Sequence, residues 1–304
     1  MAGSMQHRSC PVCDGSEAHP LLRKNDLQLV RCDSCSMVYA NPVGSEFASG
    51  LYYDQIGSEF YLSPEKLQSD YAPVRFEREQ KIFRRHCPRG RVLDVGCSSG
   101  AFLYQLRQRF GADYDILGTD VSGPPLDYAE SQGIPIVRGN FLENQFDGRR
   151  FDCITFWAVL EHLLHPRLFL HHARDLLAPG GLCLVLVPNF QSLAVRILGA
   201  RYRYIYPQHL NYFTPSSLSR LSSHDFQILA LTTTHLNPVV IWQDWMHKGR
   251  DVSNQERAAL LKQTTAYKQN PALAPLKFLY RCSERLLAAG RLADNLCIVL
   301  TKLS

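Results

Sequence analysis

The sequence predicts an α/β protein whose central sheet is preceded by a small metal-binding module. Two observations support this: two C-x2-C pairs stand near the N-terminus, and strand patterns alternate with helical patterns between residues 91 and 236. Apolar residues make up 45% of the 304 residues and charged residues 20%. This composition provides a hydrophobic core and excludes a chain that is disordered throughout.

The predicted metal-binding module covers residues 1–45. A C-x2-C pair places two thiolates on one turn, and two pairs joined by a hairpin-sized spacer complete a tetrahedral site for a structural Zn2+. Apolar runs at 27–30 and 37–39 suit strands of that hairpin. Chance spacing or a redox pair is the alternative, and four thiolates leave no open position for catalysis. The proposed zinc ligands are Cys10, Cys13, Cys32 and Cys35.

Residues 46–90 are a predicted linker that ends in a basic helix. Residues 75–91 hold seven Lys/Arg and two Glu, so this segment carries +5, which equals the net charge of the chain. A solvated helix face explains this charge, and a phosphate-binding patch for RNA or a nucleotide-linked substrate is the alternative. The helix should end before Pro88. The linker also holds four tyrosines that could fold over an active site: Tyr52, Tyr53, Tyr61 and Tyr71.

The apolar runs are too short for a membrane protein. None approaches the ~20 residues that span a bilayer, and the first residues lack the apolar core of a signal peptide. We therefore expect a cytoplasmic protein without a membrane partner. In such a chain, ten cysteines favour metal binding and free thiols over disulfides.

A strand, a glycine-bearing turn and a helix follow one another from residue 91 to residue 106. This arrangement lets a ligand approach backbone N–H groups at the start of a helix. The next strand ends on Asp120, which lies 20 residues after Gly100 and can accept both hydroxyls of an adenosine ribose. The turn matches the dinucleotide-binding motif G-x-G-x-x-G poorly, because Ser98 stands at the position of the second glycine.

The motif LDVGCSSG at 93–100 resembles the first motif of class I S-adenosylmethionine-dependent methyltransferases, usually D/E-x-G-x-G-x-G. FDCI at 151–154, LEHL at 160–163, LAPGGL at 177–182 and PN at 188–189 follow in the order typical of that class. The resemblance covers about residues 88–236 and implies a Rossmann-like sheet in a methyltransferase domain at 91–304. A degenerate domain that binds no cofactor is the alternative. The resemblance implies these S-adenosylmethionine-binding residues: Asp94, Gly96, Cys97, Gly100, Asp120, Val121, Asn140, Phe141 and Trp157.

About 60 mostly helical residues, 237–294, separate the last two strand patterns. In this class the final two strands usually form a hairpin, and so long an insertion is normally functional. A lid beside the acceptor pocket, a homodimer element and a packing appendage all remain open.

The segment YIYPQHLNYF at 204–213 resembles Y-H-E-H-L-S-Y-F of the deoxysugar C-methyltransferases, which also carry an N-terminal zinc-binding domain. There the histidine before Leu is the general base, which implies that role for His209. Tyr206 and Tyr212 could hydrogen-bond or stack on the acceptor. The pair Glu161–His162 looks like one found in many class I methyltransferases, near a divalent metal in the ubiquinone O-methyltransferase branch. A histidine packed beside the cofactor is the other interpretation of His162.

The resemblance and the residues together predict methyl transfer by in-line displacement to a small molecule, a nucleotide sugar or a secondary metabolite of natural-product biosynthesis. An oxygen or carbon acceptor needs a base, and histidine suits neutral pH. An RNA methyltransferase is the first alternative, although nucleic acid is not the favoured partner. A zinc-ribbon adaptor with a degenerate methyltransferase domain is the non-enzymatic alternative.

Overall fold

A computed structural model describes residues 5–48, 57–246 and 252–303 of the chain. The N-terminal module consists of short strands and one helical turn. Its elements are β1 (Met5–Gln6), β2 (Ala18–Lys24), β3 (Leu27–Cys32), β4 (Val38–Ala40), β5 (Val43–Gly44) and α1 (Ser45–Ala48).

In the described part of the chain between the module and the central sheet there are three helices: α2 (Gly57–Tyr61), α3 (Pro64–Asp70) and α4 (Glu77–His86). The predicted basic helix is α4, and its end before Pro88 is confirmed. Phe83 on its inner face is fully buried, whereas Glu77, Lys81 and Arg85 are exposed. The helix is therefore amphipathic, as the sequence predicts.

The central unit then alternates strands and helices. It comprises β6 (Gly90–Val95), α5 (Ala101–Phe110), β7 (Tyr114–Asp120), α6 (Gly123–Ser131), β8 (Ile136–Arg138), β9 (Phe151–Trp157), α7 (Pro166–Leu176), β10 (Leu177–Pro188), α8 (Leu193–Leu198), β11 (Asn211–Tyr212), α9 (Pro215–Ser222) and β12 (Phe226–Thr234). A capping box formed by Thr214 and Ser217 starts α9.

The insertion between β12 and the last strand is helical in its described part. It contains α10 (Pro238–Met246), α11 (Asn254–Gln269) and α12 (Ala274–Ala289), and β13 (Asn295–Lys302) follows. Residues 247–251 lie outside the described ranges. The helix α11 packs on α3, where Ser69 Oγ and Thr265 Oγ1 are 2.8 Å apart. An ion pair between Arg78 and Glu284 joins α12 to α4.

Within the described residues, seven strands form the central sheet, in the order β12-β13-β10-β9-β6-β7-β8. The strands from β10 to β8 run parallel, and β13 is antiparallel to both of its neighbours. Side chains of the middle strands, such as Ile154, Val185 and Ile298, are 0% exposed. The predicted α/β fold with a Rossmann-like sheet and a helical insertion is confirmed.

A second, four-stranded antiparallel sheet has the order β11-β4-β3-β2. Its outer strand β11 comes from the central unit, and Asn211 and Tyr212 pair with Tyr39 and Val38. The N-terminal module therefore shares a sheet with the segment that directly follows His209. Within the described residues, no helix is both long and apolar enough to cross a membrane.

Candidate active site

A cavity of about 1560 Å³ lies at the carboxyl ends of the parallel strands. Residues at the ends of β6, β7, β9 and β10 line it, together with residues 204–209, the α2–α4 segment and the insertion. Single small-molecule sites usually occupy about 300–1,000 Å³. The cavity therefore has room for a cofactor and a second small molecule.

The carboxylate of Asp120 connects the second strand of the parallel sheet to the glycine-bearing turn. It accepts N–H bonds from Ser98 at 2.9 Å, from Val121 at 2.7 Å and from Ser122 at 3.1 Å. These bonds fix the acid at the carboxyl end of β7, where the sequence predicts a ribose-binding group. Val121 is 51% exposed and forms part of the cavity wall.

The turn itself is built around left-handed backbone conformations. Gly96 and Gly100 have φ of +73° and +74°, and a Cβ on Gly96 would lie 2.5 Å from a methyl group of Val159. Ser98 also has a positive φ, +50°, at the position where the methyltransferase motif usually has glycine. Gly96 lines the cavity, whereas Gly100 starts α5 behind it.

Asp94 is buried at the end of β6, and its Oδ1 accepts a bond of 2.6 Å from the Thr155 hydroxyl. Burial raises the pKa of Asp94 to about 7. Cys97 packs tightly against β7, since a Cβ on Gly118 would lie 2.7 Å from its sulfur. Cys97 also lines the cavity, and burial raises the pKa of its thiol, which is therefore protonated at neutral pH.

Asn140, Phe141 and Trp157 line the same cavity. Asn140 caps a short turn, and its Oδ1 accepts an N–H bond of 3.1 Å from Leu142. The ring of Phe141 stacks on Phe169, with ring centroids 5.6 Å apart. Trp157 packs on Phe102, and its buried Nε1 has no hydrogen-bond partner among the described residues. A glycine turn, a fixed acid and aromatic walls suit the nucleoside part of S-adenosylmethionine.

His209 is buried, and its hydrogen bonds define its tautomer. Its Nδ1 lies 3.0 Å from the carbonyl oxygen of Tyr204, which can only accept, so Nδ1 carries the proton. The Nε2 lone pair therefore accepts from the Tyr206 hydroxyl at 2.9 Å. The Tyr206 oxygen accepts in turn from Nη2 of Arg257 at 3.1 Å. A hydrogen-bond chain thus runs from Arg257 through Tyr206 to His209 at the cavity wall.

Glu161 and His162 lie beside this chain. Nδ1 of His162 donates to the carbonyl oxygen of Gln208 at 2.8 Å, and the rings of His162 and His209 are 4.8 Å apart. Burial raises the pKa of Glu161 to about 8 and lowers the pKa of His162 to about 4. Burial also lowers the pKa of His209 well below its usual value. At pH 7 all three groups are therefore mostly uncharged.

A donor atom of each of Glu161, His162 and His209 lies within 4.8 Å of the other two. This spacing alone would suit a cation. Both carboxyl oxygens of Glu161 are buried without a hydrogen-bond partner among the described residues, whereas Nε2 of His209 already accepts a hydrogen bond from the Tyr206 hydroxyl. A cation at this position would bind the ionised form of Glu161 and would displace the Tyr206 hydroxyl from His209.

Tyr212 does not belong to the cavity wall. Its hydroxyl donates to the Tyr206 carbonyl oxygen at 3.1 Å and accepts from the Tyr206 N–H at 3.3 Å. The sequence suggests contact with the acceptor, but these bonds commit the Tyr212 hydroxyl to the backbone of Tyr206. Tyr212 therefore holds the backbone of Tyr206, whose hydroxyl donates to His209.

The linker reaches the cavity as well. Tyr61 lines the wall, and the Tyr71 hydroxyl donates to the carbonyl oxygen of Ser99 in the glycine-bearing turn, at 2.5 Å. Tyr52 and Tyr53 lie outside the described residues.

The four cysteines of the two C-x2-C pairs converge in the N-terminal module. Their sulfurs all lie within 4.8 Å of one another, with 3.4 Å between Cys10 and Cys35 and 3.5 Å between Cys13 and Cys32. A tetrahedral zinc site with Zn–S bonds of about 2.3 Å places its sulfurs about 3.8 Å apart. The donor set and its spacing therefore fit a structural zinc ion.

Asn211 is a residue that the sequence did not single out. Its Nδ2 donates to the carbonyl oxygens of Leu160 at 2.8 Å and Leu163 at 2.7 Å, and its Oδ1 accepts from Arg8 at 2.7 Å. It therefore ties the N-terminal module to the loop that carries Glu161 and His162. Nothing in the local sequence marks this role, because the partners lie 48, 51 and 203 positions away.

Comparison with known proteins gives one family match and several partial relatives. A family described as a methyltransferase domain matches residues 68–230. The ubiquinone biosynthesis O-methyltransferase of Cereibacter sphaeroides is 35% identical over 120 residues, which cover 37% of this chain and 47% of that protein. The protein of the same name from Azorhizobium caulinodans is 28% identical over 170 residues, covering 49% and 66%. The chain thus spans about half to two thirds of the length of these relatives.

The fold resembles those of several solved structures. A SAM-dependent methyltransferase from Thermotoga maritima has a TM-score of 0.54 at 13% identity, over 83% of this chain and 99% of that one. The PH0226 protein from Pyrococcus horikoshii has a TM-score of 0.50 at 14% identity, over 83% and 99%. At these identities the likeness concerns the fold alone.

Proposed function

The chain belongs to the methyltransferase domain family, and from this premise we propose that it methylates a small-molecule acceptor at the Tyr206–His209 pair. The observation that carries the proposal is the hydrogen-bond chain from Arg257 through Tyr206 to His209. It lies on the wall of the same cavity as the glycine-bearing turn. S-adenosylmethionine, when bound, supplies a methyl group already activated on a sulfonium. The protein's task is then to orient the acceptor and to remove its proton.

Residues of the cofactor half would hold the cofactor as follows. Asp120 would accept a ribose hydroxyl, since its three N–H bonds leave one of the roughly four lone-pair sites of the carboxylate unused. Asp94, near the end of β6, would hold the amino end of the methionine moiety. Phe141 and Trp157 would supply apolar walls for the adenine, and Asn140 and Val121 line the same cavity.

His209 would act as the general base through Tyr206. As the acceptor approaches, its proton passes to the Tyr206 oxygen while the phenolic proton passes to Nε2 of His209. The acceptor becomes the nucleophile, and His209 becomes an imidazolium that Tyr206 contacts. Burial keeps His209 neutral at pH 7, so the Nε2 lone pair is available before the reaction. His162, packed 4.8 Å from His209, would orient the ring.

The distribution of charge supports a small acceptor rather than RNA. Four of the seven Lys/Arg of segment 75–91 pair with acids outside that segment. A surface that is largely ion-paired offers few cations to a phosphate backbone. The large cavity and the resemblance to the deoxysugar C-methyltransferases favour a nucleotide sugar or another secondary metabolite. The ion pairs are Arg75–Asp70, Arg78–Glu284, Arg84–Asp113 and Arg91–Asp152.

Calorimetry of the zinc-replete protein with S-adenosylmethionine tests the cofactor assignment. We expect Asp120→Ala to weaken binding by about tenfold to a hundredfold, because hydrogen bonds to a charged group are lost. Asp115→Ala is the matched control, since Asp115 is an exposed acid on the same strand. If S-adenosylmethionine does not bind to the wild-type protein, the enzymatic proposal is rejected in favour of the zinc-ribbon adaptor.

Transfer of a labelled methyl group to a panel of small acceptors and to RNA then tests the reaction. His209→Gln should abolish transfer while cofactor binding remains, since the Gln amide cannot act as a base at neutral pH. Full activity of His209→Gln would reject the base assignment. Methylation of RNA, or RNA binding that falls steeply with salt, would favour the RNA alternative.

A further inference from the structure

Arg257 is the point at which the insertion reaches the candidate active site. It lies in the first turns of α11, which begins after the Ser253 cap. Its guanidinium carbon is 4.7 Å from the centre of the Tyr206 ring and 5.2 Å from the centre of the Phe60 ring. These two stacking contacts and the bond to the Tyr206 hydroxyl hold the guanidinium in one orientation.

Most of the hydrogen-bonding capacity of Arg257 is unused. A guanidinium has five N–H donors, and among the described residues we find one bond, to Tyr206. No described carboxylate lies within 4.0 Å of it. Other cations at the cavity wall differ in this respect: Arg203 pairs with Asp244, and Lys66 and Arg75 both pair with Asp70.

The charge of Arg257 differs from that of its neighbours at the cavity wall. Lys66 and Arg75 pair with Asp70, and the buried Glu79, which also lines the cavity, attracts Arg75 as well, so these two cations face two carboxylates. Arg257 adds a charge beside the Tyr206 hydroxyl that no described carboxylate within 4.0 Å compensates. Largely desolvated cations in proteins are usually paired, so an unpaired one at a cavity wall points to a negatively charged ligand.

We propose that Arg257 is the anion-binding residue of the acceptor subsite and that the acceptor carries a phosphate or carboxylate group. The planar guanidinium donates two parallel bonds to either group, which a lysine does not reproduce. Its contact with Tyr206 places the anionic group close to the reacting atom. This inference rests on the proposed function and names the chemical class of its acceptor. It also makes the insertion a part of the active site.

Two simple anions test the subsite without knowledge of the natural acceptor. Inorganic pyrophosphate represents a phosphate-bearing acceptor and benzoate represents a carboxylate. Each is titrated by calorimetry into the zinc-replete protein, with and without S-adenosylhomocysteine. We expect one of them to bind and Arg257→Gln to weaken that binding by about tenfold to a hundredfold. Arg257→Lys should bind the anion with intermediate affinity, because it keeps the positive charge but loses the planar guanidinium that donates two parallel hydrogen bonds.

Lys262→Gln is the matched control, because Lys262 is an exposed cation on the same helix. Its anion affinity should equal that of the wild type. Labelling of wild-type Arg257 with phenylglyoxal, read by peptide mass spectrometry, gives a measurement that needs no variant. The binding anion should slow this labelling.

The outcomes separate the two proposals. Loss of anion binding in Arg257→Gln alone, with slowed labelling in the wild type, supports the subsite whichever anion binds. Absence of binding by both anions, or equal affinities in Arg257→Gln and the wild type, overturns it. Failure of the wild type to bind the cofactor product would instead count against the proposed function, and the anion titrations would still decide the subsite.

Discussion

The N-terminal module holds residues 210–212, directly after His209, whereas the helical insertion contacts Tyr206 itself. The module acts mainly through its backbone: β4 pairs with β11, and Ala40 N–H donates to the Leu210 carbonyl oxygen at 2.9 Å. The insertion contributes a side chain, since Arg257 reaches the Tyr206 hydroxyl from α11. One region fixes the position of the segment, and the other completes its chemistry.

The two regions also differ in how they are held. The strands β3 and β4 are largely buried, and four cysteine sulfurs converge beside them. In contrast, Glu284 is the one buried residue among the described side chains of α12, and Phe278 and Leu286 are 62% and 75% exposed. Little apolar burial means a low free energy of local opening. The module should therefore be rigid, whereas the insertion should open and close over the acceptor.

The strongest test removes the zinc ligands of the module. Cys32→Ser, or a chelator, should unfold the module at 25 °C, because structural zinc contributes about 10 kcal/mol in zinc-finger peptides. Loss of β4 would free β11 from its pairing, so that His209 would no longer be held in place. Zinc content and far-UV circular dichroism, followed by the transfer assay, measure the effect.

Cys282→Ser is the control for this substitution, because Cys282 is a half-buried thiol of the insertion. It should retain one zinc ion and full secondary structure. A Cys32→Ser protein that keeps its secondary structure and its activity would show that the module does not position the site.

Hydrogen exchange tests the contrast in rigidity directly. In the zinc-loaded protein, peptides of α12 should exchange at least a hundredfold faster than peptides of β3 and β4, a difference of about 3 kcal/mol in opening free energy. Binding of an acceptor anion at Arg257 should slow exchange in α11. Equal protection of α12 and β3 would abolish the distinction between the two regions.

The pH dependence of stability tests the loop that carries Glu161, which Asn211 ties to the N-terminal module. Glu161 lies in the loop held by Asn211 and Leu210, and burial raises its pKa to about 8 from an unfolded value of about 4.3. The folded state therefore binds more protons between these values, and its stability falls as the pH rises toward 8. The slope is about 1.4 kcal/mol per pH unit.

Glu161→Gln removes this contribution because Gln does not titrate. Relative to the wild type, the variant should gain about 2 kcal/mol of stability between pH 5.5 and pH 7. Denaturant unfolding at both values measures the gain. Glu77→Gln, an exposed acid of α4, is the control and should parallel the wild type. A constant difference between Glu161→Gln and the wild type would mean that Glu161 is ionised in the folded protein.

The same contrast explains what the sequence predicts and what it leaves out. The four zinc ligands, the glycine turn and Asp120 are local signals, since each lies within one hairpin or one strand–turn–helix unit. Arg257 is 51 positions from Tyr206, and Asn211 is 203 positions from Arg8. These contacts depend on how the insertion and the module pack on the central unit. Sequence spacing therefore reveals the cofactor half of the site but not the residues that complete the acceptor half.

The smallest predicted effect concerns the seam between the insertion and the linker. Thr265→Val removes the buried bond between Thr265 and Ser69, 2.8 Å long, which joins α11 to α3. The loss should cost about 1 kcal/mol of local opening free energy, so α11 peptides should exchange about fivefold faster. Thr264→Val, which loses only a bond to the Leu261 carbonyl oxygen within the same helix, is the control. Global unfolding and exchange in β3 should stay unchanged in both variants, because the insertion opens without the module. If Thr265→Val instead lowers the global stability by the same 1 kcal/mol and leaves local exchange unaltered, the insertion unfolds together with the rest of the protein and does not act as a lid.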